Sequence, residues 1–310
     1  MTDILAVGEL LVDLTQIGNN HAIPQYAANP GGAPANVAVA AAKLGAKTAF
    51  CGKIGRDSFG SLLRRTLREN GVDDTFLYDC SAPSTLAVVS IDNQGERSFS
   101  FYRENGADTL LNDGESRAAL TCEPRFLHFG SVSLTHEPSR TATLSAAQTA
   151  KDHGCLISYD PNYRPALWGD AQRAIEQMKQ PLVLTDVLKV SDEELPLLTG
   201  TPDLTEGSRL LADLGISLVL VTLGAEGVFY RMREQTGRLS GVPVKVADTN
   251  GAGDTFLGAV LSRLCRRTSP LTGLCVEELE DILRFANRAA ALTCSRSGAI
   301  PAMPALSELE

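Results

Sequence analysis

Ile4 to Val7 is a short apolar run that stops at Gly8, and the same arrangement returns along the chain. Thr48 to Cys51 closes at Gly52, Phe126 to Phe129 at Gly130, and Leu218 to Leu223 at Gly224. Apolar runs of this length, without polar alternation, suit strands buried on both faces, as in parallel sheets. Helical segments separate them. The alanine-rich stretch after Pro34 reaches Gly45, Asp57 or Ser58 caps a helix that runs to Gly71, and Pro138 opens one that stops at Gly154. Glycine just past a helix end and a short polar residue or proline at its start are the expected punctuation. Strand and helix in alternation restrict the chain to an α/β fold with a mostly parallel sheet.

Two stretches break the alternation. Thr85 to Ile91 and Arg97 to Tyr102 are strand-like, with Asp92-Asn93-Gln94-Gly95 as a hairpin loop between them. Thr15 to Ala28 is polar, with a turn at Gly18-Asn19-Asn20. Together, over about 12–30 and 85–103, they read as a small β-sheet lid on one domain spanning 1–310. Further on, Leu182 to Leu184 and Leu188 to Val190 are strand candidates, Ser191 to Glu194 opens a short helix, and Gly227 to Met232 and Val242 to Val246 read as edge strands.

Polar or glycine-rich residues follow several of these strands: Glu9 and Asp13, Gly52, Gly130, Asp160 and Asn162, Asp192 and Glu194, Gly224. Open parallel sheets bind ligands outside the carboxyl ends of their strands. The densest case is Ala247 to Leu264. Leu257, Val260, Leu261 and Leu264 mark one helix face, and Gly251-Ala252-Gly253 stands directly before it. The first amides of a helix lack internal partners and sit at the positive end of its dipole, so this turn can hold an anion. Asp254 suits the first turn of a helix on electrostatic grounds alone. It also suits a base that takes a proton from a hydroxyl attacking a bound phosphoryl group. Asn36, in the first turn after Gly31-Gly32, is a candidate hydroxyl binder, and Arg164 a candidate phosphate clamp.

Composition removes other classes. A net charge of −9 with no basic run argues against nucleic acid or an anionic membrane as partner. Seven scattered cysteines without a C-x-x-C pair, and four histidines without ligand spacing, fit free thiols in the cytoplasm rather than zinc. Phe256 stands where a dinucleotide fingerprint needs its third glycine, and no Walker A sequence occurs. The N-terminus lacks a basic region and a cleavage site, and no apolar run reaches membrane length.

Two long motifs, PGGAPANVAVAAAKLGAKTAFCGKIGRDSFG and DTNGAGDTFLGA, occur in this order. With them the chain resembles the ribokinase-like (PfkB) sugar kinases over essentially its whole length. Within that family GGAPANVA, FSFYRENGADTLL, DPNYRPALW and KVSDEELPLLTG are most similar to fructokinases. The resemblance implies a three-layer α/β/α fold with a β-lid, MgATP as donor and fructose as acceptor. It implies Asp254 as general base and Gly251, Ala252 and Gly253 as anion hole. Sugar contacts fall on Asp13, Gly31, Gly32, Asn36, Arg103 and Arg164. Nucleotide contacts fall on Asn162, Thr222, Gly224, Gly227 and Asn287. Asp192 and Glu194 match the motif that organises Mg²⁺ and its waters, and Asp248 with Asn250 matches a K⁺ site. Asn250 and Ser191 depart from the family's usual threonine and asparagine.

Two other readings stay open on sequence. A 2-keto-3-deoxygluconate kinase would use Arg103 to meet an acid sugar. A sugar-binding regulator on the same fold would need no base, and Asp254 beside a complete G-A-G turn argues against it. The edges of a lid sheet also offer a homodimer contact.

Overall fold

The computed structural model describes residues 2–20, 23–91 and 97–310, so the Asp92–Gly95 loop lies outside the described residues. The chain opens with β1 (Thr2–Val7), leaves the main sheet through β2 (Leu11–Asn20) and β3 (Ile23–Gly31), and returns by α1 (Ala33–Lys43) to β4 (Thr48–Gly55). α2 (Ser58–Glu69) and the short β5 (Val72–Asp73) and β6 (Leu77–Cys80) lead to a second excursion, β7 (Leu86–Ile91) and β8 (Arg97–Tyr102). Then follow α3 (Asp113–Ala118), β9 (Pro124–Gly130), α4 (Ser139–Asp152), β10 (Leu156–Asp160), α5 (Ala171–Lys179) and β11 (Val187–Ser191). The chain ends with α6 (Leu195–Thr199), α7 (Leu204–Ala212), β12 (Leu218–Thr222), β13 (Val228–Met232), β14 (Gln235–Leu239), α8 (Ala252–Cys265) and α9 (Val276–Cys294).

The main sheet runs β14-β13-β12-β11-β10-β9-β1-β4-β5, with β6 also on β4. It is parallel from β5 to β12, and only β13 and β14 join antiparallel. A separate four-stranded sheet, β3-β2-β7-β8, stands apart from it. Alternation along each strand feeds two cores. In β9, Leu127 and Phe129 pack with Ala142 and Ala146 of α4. Phe126 faces the other way and packs with Val37 of α1 and Leu257 and Val260 of α8. This is the expected α/β/α sandwich with its small sheet.

Packing on the second face fixes the segment that matters most. Leu257, Val260, Leu261 and Leu264 are fully buried, each contributing about 2 kcal/mol by removal from water. α1 lies so close to α8 that a Cβ on Gly258 would fall 2.7 Å from Ala40 Cβ and 2.8 Å from the Val37 carbonyl. The alanine run of α1 permits that approach, and it brings the N-terminal turns of both helices together.

Several local expectations needed correction. Gly18, Asn19 and Asn20 lie inside β2, whose pairing with β3 shifts register between Gln16 and Gly18 rather than turning there. Leu182 to Leu184 ends a 3₁₀ turn that begins at Gln180, with Pro181 in its first turn. Val242 to Val246 is not a strand; the edge is β14 instead. Pro243, which lacks the N–H a ladder requires, accounts for this.

Candidate active site

Asp254 is the third residue of α8, whose N-cap Gly251 takes φ +76°, a left-handed conformation that glycine adopts freely. Asp254 is only 7% exposed, and two amides hold its carboxylate. Asn36 Nδ2 donates to Oδ2 at 2.8 Å and Asn162 Nδ2 donates to Oδ1 at 3.2 Å. Asn36 comes from the first turn of α1, and Asn162 follows β10 with φ +47°. Burial pushes the Asp254 carboxyl above the ordinary range, while Asn36, Lys189, Arg164 and Asn162 pull it back. A carboxylate so placed can take a proton from a hydroxyl laid against it.

Beneath the turn lies a residue that motif reading did not single out. Lys189, on β11, is buried, and its ammonium donates to Asp160 Oδ2 at 3.0 Å. A Cβ on Gly253 would stand 3.1 Å from Lys189 Nζ, so the ammonium sits under the anion-holding turn. Burial alone would push this ammonium down; Asp160, Glu194 and Asp254 outweigh it and hold the lysine charged. The available signal was a lysine in the middle of an otherwise apolar strand, Val187-Leu188-Lys189-Val190.

Asp13 lies on β2 against Gly31: a Cβ on that glycine would meet Asp13 Oδ2 at 2.7 Å. Burial raises the Asp13 carboxyl to about 6, opposed by Asn250 and Arg164. Gly32 caps α1 at φ +113°, and a Cβ there would strike the Glu9 carbonyl at 2.4 Å. Arg164 is exposed, and its charge reaches both Asp13 and Asp254. The structure thus brings Asp13, Gly31, Gly32, Asn36, Asn162, Arg164 and Asp254 together around the first turns of α1 and α8.

Arg103 has a different setting. Its guanidinium is buried, donating from Nε to Asp108 at 2.7 Å and from the terminal nitrogens to Thr135 and the Val132 carbonyl. Asp108 also accepts from Thr85. Arg103 follows β8 and Thr85 precedes β7, so this ion pair fastens the base of the small sheet and leaves the guanidinium committed to the scaffold.

On the other side of α8's first turn is a cavity of about 460 Å³. Thr222, Gly224 and Gly227 line it with Asn287, Ala252 and Gly253, and its apolar walls include Val242, Val244, Phe256 and Ala290. Gly224 and Gly227 take φ +55° and +99°. The alternating valines at 242, 244 and 246 therefore line one apolar wall of this cavity.

The candidate metal residues occupy two places. Glu194 accepts from the backbone N–H groups of Tyr163 at 2.7 Å and Ser191 at 2.8 Å. Asp192 is exposed beside it. Among the described residues no three His, Cys, Asp or Glu side chains gather as a cage. Asp248 accepts from Asn250 N at 3.0 Å and Gly298 N at 3.2 Å, drawing two loops together behind the turn.

The profile of the pfkB family carbohydrate kinases matches residues 1–306. Fructokinase-2 of Solanum lycopersicum is 41% identical over 310 residues, 98% of this chain and 94% of that protein. Fructokinase of Xylella fastidiosa with bound ATP superposes with a TM-score of 0.91 at 35% identity, covering 99% of this chain and 96% of that one. A double mutant of the Vibrio cholerae O395 fructokinase, in a fructose, ADP and potassium ion bound form, gives 0.88 at 35% identity, covering 100% and 97%. This chain belongs to the pfkB family of carbohydrate kinases.

Proposed function

We propose that this chain is an ATP-dependent fructokinase that transfers the γ-phosphoryl group to a primary hydroxyl of fructose, giving fructose 6-phosphate. The observation that carries the reading is Asp254, held by two amides among polar groups and next to Ala252 and Gly253, which line a nucleotide-sized cavity. Solved fructokinases from Xylella fastidiosa and Vibrio cholerae carry ATP, and fructose with ADP, respectively, which supports a site that takes one nucleotide and one sugar.

The acceptor binds against Asp13, Gly31, Gly32, Asn36 and Arg164, where its hydroxyl meets Asp254. Asp254 takes the proton as the hydroxyl oxygen bonds to the γ-phosphorus, and the bond to the bridging oxygen breaks toward ADP. The first-turn amides at Gly251, Ala252 and Gly253, with Lys189 below, stabilise charge on the phosphoryl oxygens and need no rearrangement to do so. The small sheet excludes water, the competing acceptor.

Mg²⁺ would neutralise the nucleotide phosphates when bound. Glu194 spends both carboxylate oxygens on backbone amides, so it and Asp192 would hold the ion through waters, a mode Mg²⁺ favours. A K⁺ ion near Asp248 and the Asn250 carbonyl would stiffen the loop behind the anion turn. Seven free cysteines suit a reducing compartment such as the cytoplasm. No described helix is long and apolar enough to cross a membrane. Exposed Ile17, Ile23, Tyr26 and Tyr102 on the small sheet suit contact with a second copy.

With Arg103 committed to Asp108, the cation in reach of an acid sugar's carboxylate is Arg164, and it is the likeness to fructokinases that favours a neutral ketose over 2-keto-3-deoxygluconate. An ATP-coupled screen of fructose, ribose, adenosine, 2-keto-3-deoxygluconate and aminoimidazole riboside tests the assignment. Fructose is expected to give the highest kcat/KM; a higher value for any other acceptor overturns it, and nucleotide binding without turnover would restore the regulator.

A further inference from the structure

Glu9 stands at the carboxyl end of β1, only 3% exposed. Its Oε1 accepts the N–H of Ala33 at 3.0 Å. Ala33 is the first residue of α1, and the helix has no side-chain cap of its own because Gly32 occupies the N-cap. Glu9 therefore satisfies, from 24 residues away, one of the amides that the start of the helix leaves without an internal partner. Its second oxygen, Oε2, is buried with no hydrogen-bond partner. A carboxylate is a costly choice for a buried acceptor unless something needs its position or charge.

The next links are short. Asn36 N–H donates to the Gly32 carbonyl at 2.8 Å, and the Asn36 side chain holds Asp254 Oδ2 at 2.8 Å. Glu9, the Gly32–Ala33 turn, Asn36 and Asp254 thus form one chain of contacts. The charged groups facing Glu9 are Arg103 and Asp108, the pair that fastens the base of the small sheet. Burial raises the Glu9 carboxyl to about 7, with Arg103 opposing.

We propose that Glu9 is a positioning residue for phosphoryl transfer: it fixes the first turn of α1 and, through Asn36, the orientation of the Asp254 carboxylate. This rests on the reading of Asp254 as the base. A displacement of about an ångström at a reacting group is enough to slow transfer, so the effect belongs in kcat.

The test uses the full chain with Glu9→Ala, Glu9→Gln, Asn36→Ala and the Glu9→Ala/Asn36→Ala double variant, each with a thermal melt and separate kcat and KM for fructose and ATP. Glu9→Ala is expected to lower kcat roughly ten- to a hundred-fold and leave the ATP KM within about two-fold. Glu9→Gln, which keeps the Oε1 acceptor, is expected to recover most of that loss. The double variant is expected to be no slower than the slower single variant, since both act along one path. Three results overturn the proposal: a near-parental kcat for Glu9→Ala, a Glu9→Gln as slow as Glu9→Ala, or losses that multiply in the double variant. Activity retained in Asp254→Asn would instead sink the reading beneath it, which keeps the two failures apart.

Discussion

Asn36 Nδ2 lies 2.8 Å from Asp254 Oδ2, although 218 positions separate them in the chain. The contact joins the first turns of α1 and α8, and it exists because alanines on one helix and Gly258 on the other let the two backbones meet. Whatever binds against Asp254 is presented to a carboxylate that the scaffold has already oriented.

Lys189 should be needed for transfer rather than for folding alone. Removing one member of a buried pair costs about 3–5 kcal/mol, so the informative protein is Asp160→Asn with Lys189→Met. Its kcat should fall roughly 10²-fold, the order seen when a preorganised charge donor is removed. Lys189 lowers the Asp254 carboxyl while Asp160 repels it, so the acid limb of kcat against pH should lie higher in the double variant than in Asp160→Asn alone. An acid limb unmoved between the two, with near-parental kcat, would show that Lys189 only packs.

The melting temperature should carry the signature of Glu9. Its carboxyl titrates at about 7 when folded, against an ordinary 4.5. The folded state therefore holds the proton more tightly. The stability from that proton is fully present below 4.5 and is lost as pH rises through 7. Glu9→Gln cannot lose it, so the melting temperature of Glu9→Gln minus that of the parent should climb between pH 4.5 and 7 and level off above. Calorimetric melts of both proteins across that range decide it, and a difference independent of pH would contradict the assignment.

Potassium should activate more than sodium. Asp248 ties Asn250 to Gly298 directly behind the anion turn, so an ion of the right size there would stiffen the amides that hold the phosphoryl group. Initial rates in K⁺, Na⁺ and tetramethylammonium at equal ionic strength measure this. Equal rates in all three would remove the cation from the account.

The sequence was most legible where one residue type answers one local demand. Glycine before an apolar helical face, with aspartate in the first turn, located α8 and its N-terminus directly. Apolar runs ended by glycine located β1, β9 and β12. What remained hidden depends on register or on a ligand. Lys189 faces Asp160 only because β10 and β11 pair with Tyr159 opposite Leu188. Glu9 reaches Ala33 only because the excursion through β2 and β3 returns to where it left. Val242 to Val246 has the alternation of a strand, but its valines line a cavity instead. Arg103 sits at the end of an exposed-looking segment, and only the fold shows its guanidinium inside an ion pair.

The central claim is that Asp254 is the base, and Asp254→Asn measures it most directly. Asparagine keeps the size and suits the first turn of a helix, so a residue there for helix electrostatics alone would tolerate the change. As a base, Asp254 should account for roughly 10²–10⁴-fold in kcat, with the melt and ATP affinity preserved. Steady-state kcat with fructose, read beside a thermal melt and an ATP titration, separates the two. A large loss of kcat in a protein that melts and binds ATP as the parent does is the predicted result; near-parental kcat would contradict it.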